Sequence, residues 1–156
     1  MPGAGKSTLG VVLAKMLNYD FLDADLVIQK HCNKTLQRII DSEGSEAFIR
    51  IENEVLACLS ASRTIVSTGG SAVYSAEAME YLSGLGTVVY LRVSFEEMLA
   101  RLHDLHERGI VLPGGGSLKD LYEERKPLYE RYADVTVDVD GLTITLAARK
   151  VAAALV

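Results

Sequence analysis

The sequence predicts an α/β protein in three layers, a central parallel sheet flanked by helices on both faces. Three observations predict it. Short β-branched runs alternate with amphipathic helical stretches along the chain. The opening Met-Pro-Gly-Ala-Gly-Lys-Ser-Thr matches the tail of the phosphate-binding pattern G-x-x-x-x-G-K-[ST] and runs directly into a helical pattern. No internal repeat or linker divides the 156 residues, which suffice for one domain over 1–156 with a substantial core.

Leu9, Val12, Leu13, Met16 and Leu17 recur at helical spacing, so a helix is expected from Lys6 to about Leu17. Residues 19–22 form a short strand ending in Asp23-Ala24-Asp25. Helices follow over 26–31 and 35–41, the second stopped near Gly44. A longer helix over 45–60 carries Phe48, Ile51, Val55, Leu56 and Leu59 on one side. Thr64–Ser67 is a buried β-branched strand, broken at once by Gly69 and Gly70. A helix over 75–85 leads through Gly86 to a strand over 87–93. Ser94, with Glu97 three residues later, makes a capping box for a helix to about Leu105. The stretch 106–117 is glycine-rich loop chemistry, and a lid is expected over about 103–120. Leu118–Tyr132 is a charged helix expected to break or restart at Pro127. A strand over 135–139 and a helix over 143–155 complete the alternation. The strand that should lead into the phosphate loop, central in such a sheet, is missing from the sequence, as is the pattern's first glycine. The chain is therefore expected to be an N-terminally truncated form of a longer protein.

Composition narrows the function. Hydrophobic residues make up 49% and charged residues 24%, which excludes a disordered chain. A net charge of −5 argues against nucleic acid and anionic membrane as partners. No apolar run approaches the roughly 18 residues of a membrane span, and no leader segment is evident. Cys32 and Cys58 lack partner spacing, so a reduced, cytoplasmic setting is expected, with both thiols as small core residues. A monomer acting on a small molecule is the expected form. His103 and His106 have no third ligand near them in sequence and do not make a metal site.

The chemistry gathers at the carboxyl ends of the strands, where loops share one crevice. Gly3, Ala4 and Gly5 let backbone N–H groups turn around a phosphate, and the helix that follows adds its positive end. Lys6 would reach the phosphate oxygens, and the hydroxyl of Ser7, followed by Thr8, would sit on Mg²⁺. Asp23 and Asp25, two apart on an extended segment, would point the same way and divide metal holding from proton acceptance. The pair could instead only cap the helix that follows, as Asp25 before Leu26 could. Gly69 and Gly70 let a substrate approach the backbone closely. Arg108, at the head of the glycine-rich loop, is placed to meet charge building on a transferred phosphoryl group, and Arg125 to hold a substrate anion.

These landmarks, in this order, resemble the shikimate kinase family over nearly the whole chain: Gly5-Lys6-Ser7-Thr8, Leu22-Asp23-Ala24-Asp25, Gly44-x-x-x-Phe48-x-x-x-Glu52, Ser67-Thr68-Gly69-Gly70, Tyr90-Leu91, Arg108, Arg125-x-Pro127-Leu128-Tyr129 and Ala133-Asp134. The resemblance implies a P-loop kinase fold, ATP with Mg²⁺, and phosphorylation of a ring hydroxyl of shikimate. By the same resemblance Lys6 and Ser7 bind phosphates and Mg²⁺, and Asp23 supports the metal. Asp25 holds the acceptor hydroxyl and is the candidate base, and Gly69 and Gly70 line the substrate. Arg108 is the lid arginine, Arg125 binds the substrate carboxylate, and Arg101 contacts adenine. Three positions depart from the family pattern. Ile49 stands where the family has an arginine, Ser71 where it has a third glycine, and Arg108-Gly109-Ile110 where it usually has Arg-Pro-Leu. Losing one charged partner costs roughly 1.5–3 kcal/mol of carboxylate binding. Two alternatives follow: a kinase of this fold for another small hydroxylated metabolite, or a nucleotide-binding module without catalysis.

Overall fold

The computed structural model of the chain describes residues 1–103 and 116–155. After the phosphate loop come α1 (Lys6–Leu17), β1 (Asp20–Asp23), α2 (Ala24–Cys32), α3 (Leu36–Ala57), β2 (Thr64–Ser67) and a 3₁₀ turn at Ala72–Tyr74. Then follow α4 (Ala76–Leu85), β3 (Val89–Arg92), α5 (Phe95–His103), α6 (Leu118–Tyr132), β4 (Val135–Asp138) and α7 (Ile144–Ala154). All strand pairing is parallel, as the alternation of strands and helices requires. β1 pairs with β2 from Asp20↔Thr64 to Asp23↔Ser67, and β3 with β4 from Val89↔Val135 to Arg92↔Asp138.

The two pairs are not hydrogen-bonded to each other. A cavity of about 740 Å³ is lined by Ile65 and Val66 of β2, Tyr90 and Leu91 of β3, Leu13 of α1 and Val151 of α7. The core is divided accordingly. One cluster joins Leu9, Leu91, Met98, Val137 and Val151. The other joins Leu56, Leu59, Val73 and Met79. Tyr129 packs against both clusters and ties the halves together.

Several local expectations change. The stop near Gly44 is a kink: α3 passes through it with Gly44 at φ 83°, ψ 167°, and continues. Ser94 Oγ accepts the Glu97 N–H, but the reciprocal half of the box is absent. The Ser94 N–H goes to Asp140 Oδ1 at 2.9 Å, and Glu97 is taken by Arg101. A complete capping box stands at Ser117 and Asp120. α6 does not break at Pro127. Leu121, Tyr122 and Arg125 are buried before it, and Tyr129 is hydrogen-bonded after it, so packing on both sides holds the helix through the lost N–H. Cys58 is exposed and Cys32 half-buried, so neither is a core thiol. Among the described residues no helix is long and apolar enough to cross a membrane.

Candidate active site

The phosphate end is built from backbone. Gly3 and Gly5 sit at φ 67° and 81°, the left-handed region that side-chain-bearing residues rarely enter. Gly5 is the N-cap of α1, and no side chain caps that helix end. Its first N–H groups therefore keep their donors, with the positive end of a 12-residue helix behind them. Lys6 Nζ donates to the Met1 carbonyl at 2.9 Å, and Ser7 Oγ lies 3.2 Å from Ser67 Oγ at the end of β2. Ala4 is buried, while Ser7 and Thr8 are exposed at the helix start. Burial lowers the Lys6 pKa, and Asp25 is the strongest of the carboxylates that oppose the shift.

Arg101 borders this end. Its guanidinium donates to Glu97 at 2.9 Å, to the Val139 carbonyl at 2.9 Å and to the Gly3 carbonyl at 3.5 Å. The side chain thus braces the loop against the end of β4.

The acid pair differs from the extended arrangement read from sequence. Asp23 ends β1 and caps α2, its Oδ1 accepting the Asp25 N–H at 3.0 Å, so Asp25 belongs to the first turn of the helix. The capping contact is made by Asp23 Oδ1, which leaves its Oδ2 and the Asp25 carboxyl outside the cap. The Asp25 carboxyl is pushed up by burial and by Asp23, and held down by Lys6.

Gly69 and Gly70 lie close against side-chain ends from α2, α3 and α6. A Cβ on Gly69 would run into Glu52 Oε1 and stand 3.2 Å from Asp25 Oδ1. One on Gly70 would stand 2.8 Å from Arg125 Nη1 and 3.3 Å from Tyr129 Oη. Arg125 is 6% exposed, stacks on Tyr74 at 5.1 Å, and donates through Nε to the Tyr74 hydroxyl at 3.0 Å. Among the described residues no carboxylate makes a salt bridge to it. Tyr129 Oη donates to the Gly70 carbonyl at 2.7 Å, which fixes the glycine turn against α6.

The structure therefore brings Lys6, Ser7, Asp23, Asp25, Gly69, Gly70 and Arg125 to one crevice and sets Arg101 at its phosphate end. Arg108 and residues 104–115 of the expected lid lie outside the described residues. Sequence reasoning had Glu52 and Tyr129 among the family landmarks, with Tyr129 as a packing residue and no task for Glu52, and did not single out Tyr74. Glu52 is buried on the same helix as Phe48, Val55 and Leu56, and a carboxylate among those apolar positions was the available signal.

The arrangement fits a nucleotide with a divalent cation. An uncapped helix end with two left-handed glycines suits phosphate, and hydroxyl and carboxylate oxygens of Ser7 and Asp23 suit a hard cation. Opposite them stands Arg125, a buried cation without a salt-bridge partner among the described residues, which suits an anion.

The chain as a whole is similar to known proteins. A family model described as "Shikimate kinase" matches residues 2–156. A shikimate kinase of Francisella tularensis subsp. novicida is 39% identical over 158 residues, covering 99% of this chain and 90% of that protein. One from Francisella philomiragia is 37% identical with the same coverage. The solved structure of Acinetobacter baumannii shikimate kinase in complex with shikimate superposes with a TM-score of 0.85 at 32% identity, covering 97% of this chain and 87% of that one. The Aquifex aeolicus shikimate kinase gives 0.80 at 30% identity, with 97% and 90% covered.

Proposed function

The chain belongs to the shikimate kinase family, whose members are phosphotransferases acting on a hydroxyl, and on that premise we propose that it transfers the terminal phosphoryl group of ATP to shikimate, giving shikimate 3-phosphate for aromatic amino acid synthesis. The observation that carries the acceptor assignment is Arg125, a buried guanidinium without a salt-bridge partner among the described residues, set against Gly70.

Each residue then has a task. The N–H groups from Gly3 to Ser7 and the Lys6 ammonium hold phosphate oxygens, and Arg101 keeps the loop in place beside the base. Ser7 and Asp23 Oδ2 would hold Mg²⁺, which when bound neutralises charge on the phosphate oxygens. Arg125 takes the acceptor carboxylate. Gly69 and Gly70 admit the ring, and Asp25 orients the acceptor hydroxyl and accepts its proton. The raised pKa of Asp25 makes it a better base than an ordinary carboxylate. By the family resemblance Arg108 is assigned the charge that develops on the transferred group.

A coupled ADP-release assay with Mg-ATP, shikimate and a panel of small hydroxy acids tests this reading. Saturable, shikimate-dependent ADP release is expected. A second reading, a kinase of this fold for a different hydroxylated acid, is favoured by Ile49 and Ser71 at the acceptor end. ADP release with another acid but not with shikimate would establish it. No release with any acceptor would leave a nucleotide-binding module.

A further inference from the structure

The acceptor end holds a carboxyl that the assigned reaction does not use. Glu52 is 1% exposed, and Ser71 Oγ donates to its Oε2. Its other oxygen, Oε1, is buried without a hydrogen-bond partner among the described residues. That oxygen is aimed at the acceptor end, since a Cβ on Gly69 would strike it while standing 3.2 Å from Asp25 Oδ1. A carboxyl oxygen out of water and unpaired is costly, and folded chains keep few of them. A ligand that hydrogen-bonds to it removes that cost.

We propose that Glu52 Oε1, oriented by Ser71, recognises a second hydroxyl of the acceptor, one that is not phosphorylated. The proposal deepens the acceptor site assigned above and rests on it. Arg125 holds a carboxylate there without an arginine at Ile49, and a hydroxyl contact at Glu52 supplies discrimination that a second cation would otherwise give. The ligand class is a polyhydroxylated monocarboxylic acid: carboxylate on Arg125, one hydroxyl on Asp25, another on Glu52. Ser71 decides which oxygen remains free, because its own hydroxyl occupies Oε2. Burial pushes the Glu52 pKa up to about 7, with Asp25 of α2 adding and Ser71, Arg125 of α6 and Lys6 of α1 opposing. Near neutrality both protonation states are present, and a hydroxyl, which can donate or accept, pairs with either.

Calorimetric titration of shikimate, and of shikimate lacking one or the other hydroxyl that is not phosphorylated, into the wild type and variants tests this. One deoxy compound should bind the wild type about tenfold or more weakly than shikimate. In Glu52→Met that penalty should vanish, and Glu52→Gln, which keeps an oxygen in place, should restore it. Ser71→Ala should narrow it, and this variant carries the comparison if Glu52→Met does not fold. MgADP affinity should stay unchanged throughout. Both deoxy compounds binding the wild type as shikimate does, or the same penalty in Glu52→Met, would overturn the proposal. Absence of shikimate binding altogether would instead sink the acceptor assignment, and this proposal with it.

Discussion

Two pairs of glycines flank the site, and they are there for different reasons. Gly3 and Gly5 have φ angles of 67° and 81°, so they supply a backbone conformation. Gly69 and Gly70 are not in the left-handed region; a Cβ there would instead press on Glu52 Oε1 and Arg125 Nη1, which would have to shift. The end proposed for phosphate is thus made largely of main chain, contiguous in sequence and joined to one helix start. The end proposed for the acceptor is made of side chains from α2, α3, the turn after β2, and α6. A backbone cradle is indifferent to most substitutions around it, whereas a pocket of side chains can be retuned one residue at a time. That is where Ile49 and Ser71 fall.

The sharpest way to break this comparison is to remove the one side chain that the phosphate end depends on. Lys6→Ala should lower kcat by about 10³-fold or more while the melting temperature moves little, checked by ADP release and calorimetry. Unchanged turnover would refute the cradle. Asp25→Asn should lower kcat by about 10²–10³-fold with nucleotide affinity intact, measured by the same assay and MgADP titration. A parallel loss of nucleotide binding would show that the two ends are not separable.

Glu52 tests the acceptor end through stability. Its pKa is about 7 when folded against an ordinary 4.5, so the native state holds the proton more tightly. Stability therefore falls as pH rises from about 4.5 to 7, by up to about 3 kcal/mol, and the full contribution is present below that window. Denaturant melts across this range should show the slope in the wild type and lose most of it in Glu52→Gln. The smallest effect belongs between the two ends. Tyr90 Oη is buried without a hydrogen-bond partner among the described residues, its ring stacked on Tyr129 at 5.1 Å. Tyr90→Phe should leave the fold as stable or up to about 1 kcal/mol more stable, by equilibrium unfolding. A marked loss would mean that the hydroxyl has a partner in solution.

The same contrast explains what the sequence made legible. The loop, α1 and the β2 strand followed from contiguous residues and local periodicity, and the structure has them at Lys6–Leu17 and Thr64–Ser67. Features decided at long range were misread. Asp140, 46 residues away, takes the Ser94 N–H that a capping box would have used. Pro127 sits inside a continuous helix because Arg125 and Tyr129 are anchored to the turn after β2. Asp25 was read on a strand, although the cap by Asp23 draws it into α2. Glu52 was visible as a family landmark and as a charge among apolar neighbours, but its contacts with Ser71 and beside Gly69 are ones that sequence spacing does not connect to it.

The most direct test of the account titrates two ligands into two variants. Arg125→Met should lose shikimate affinity by about ten- to a hundredfold and keep MgADP affinity, because one charged contact is removed at one end only. Lys6→Ala should do the reverse. Undiminished shikimate binding in Arg125→Met, or equal loss of both ligands in either variant, would contradict an acceptor site built on Arg125 and separate from the phosphate cradle.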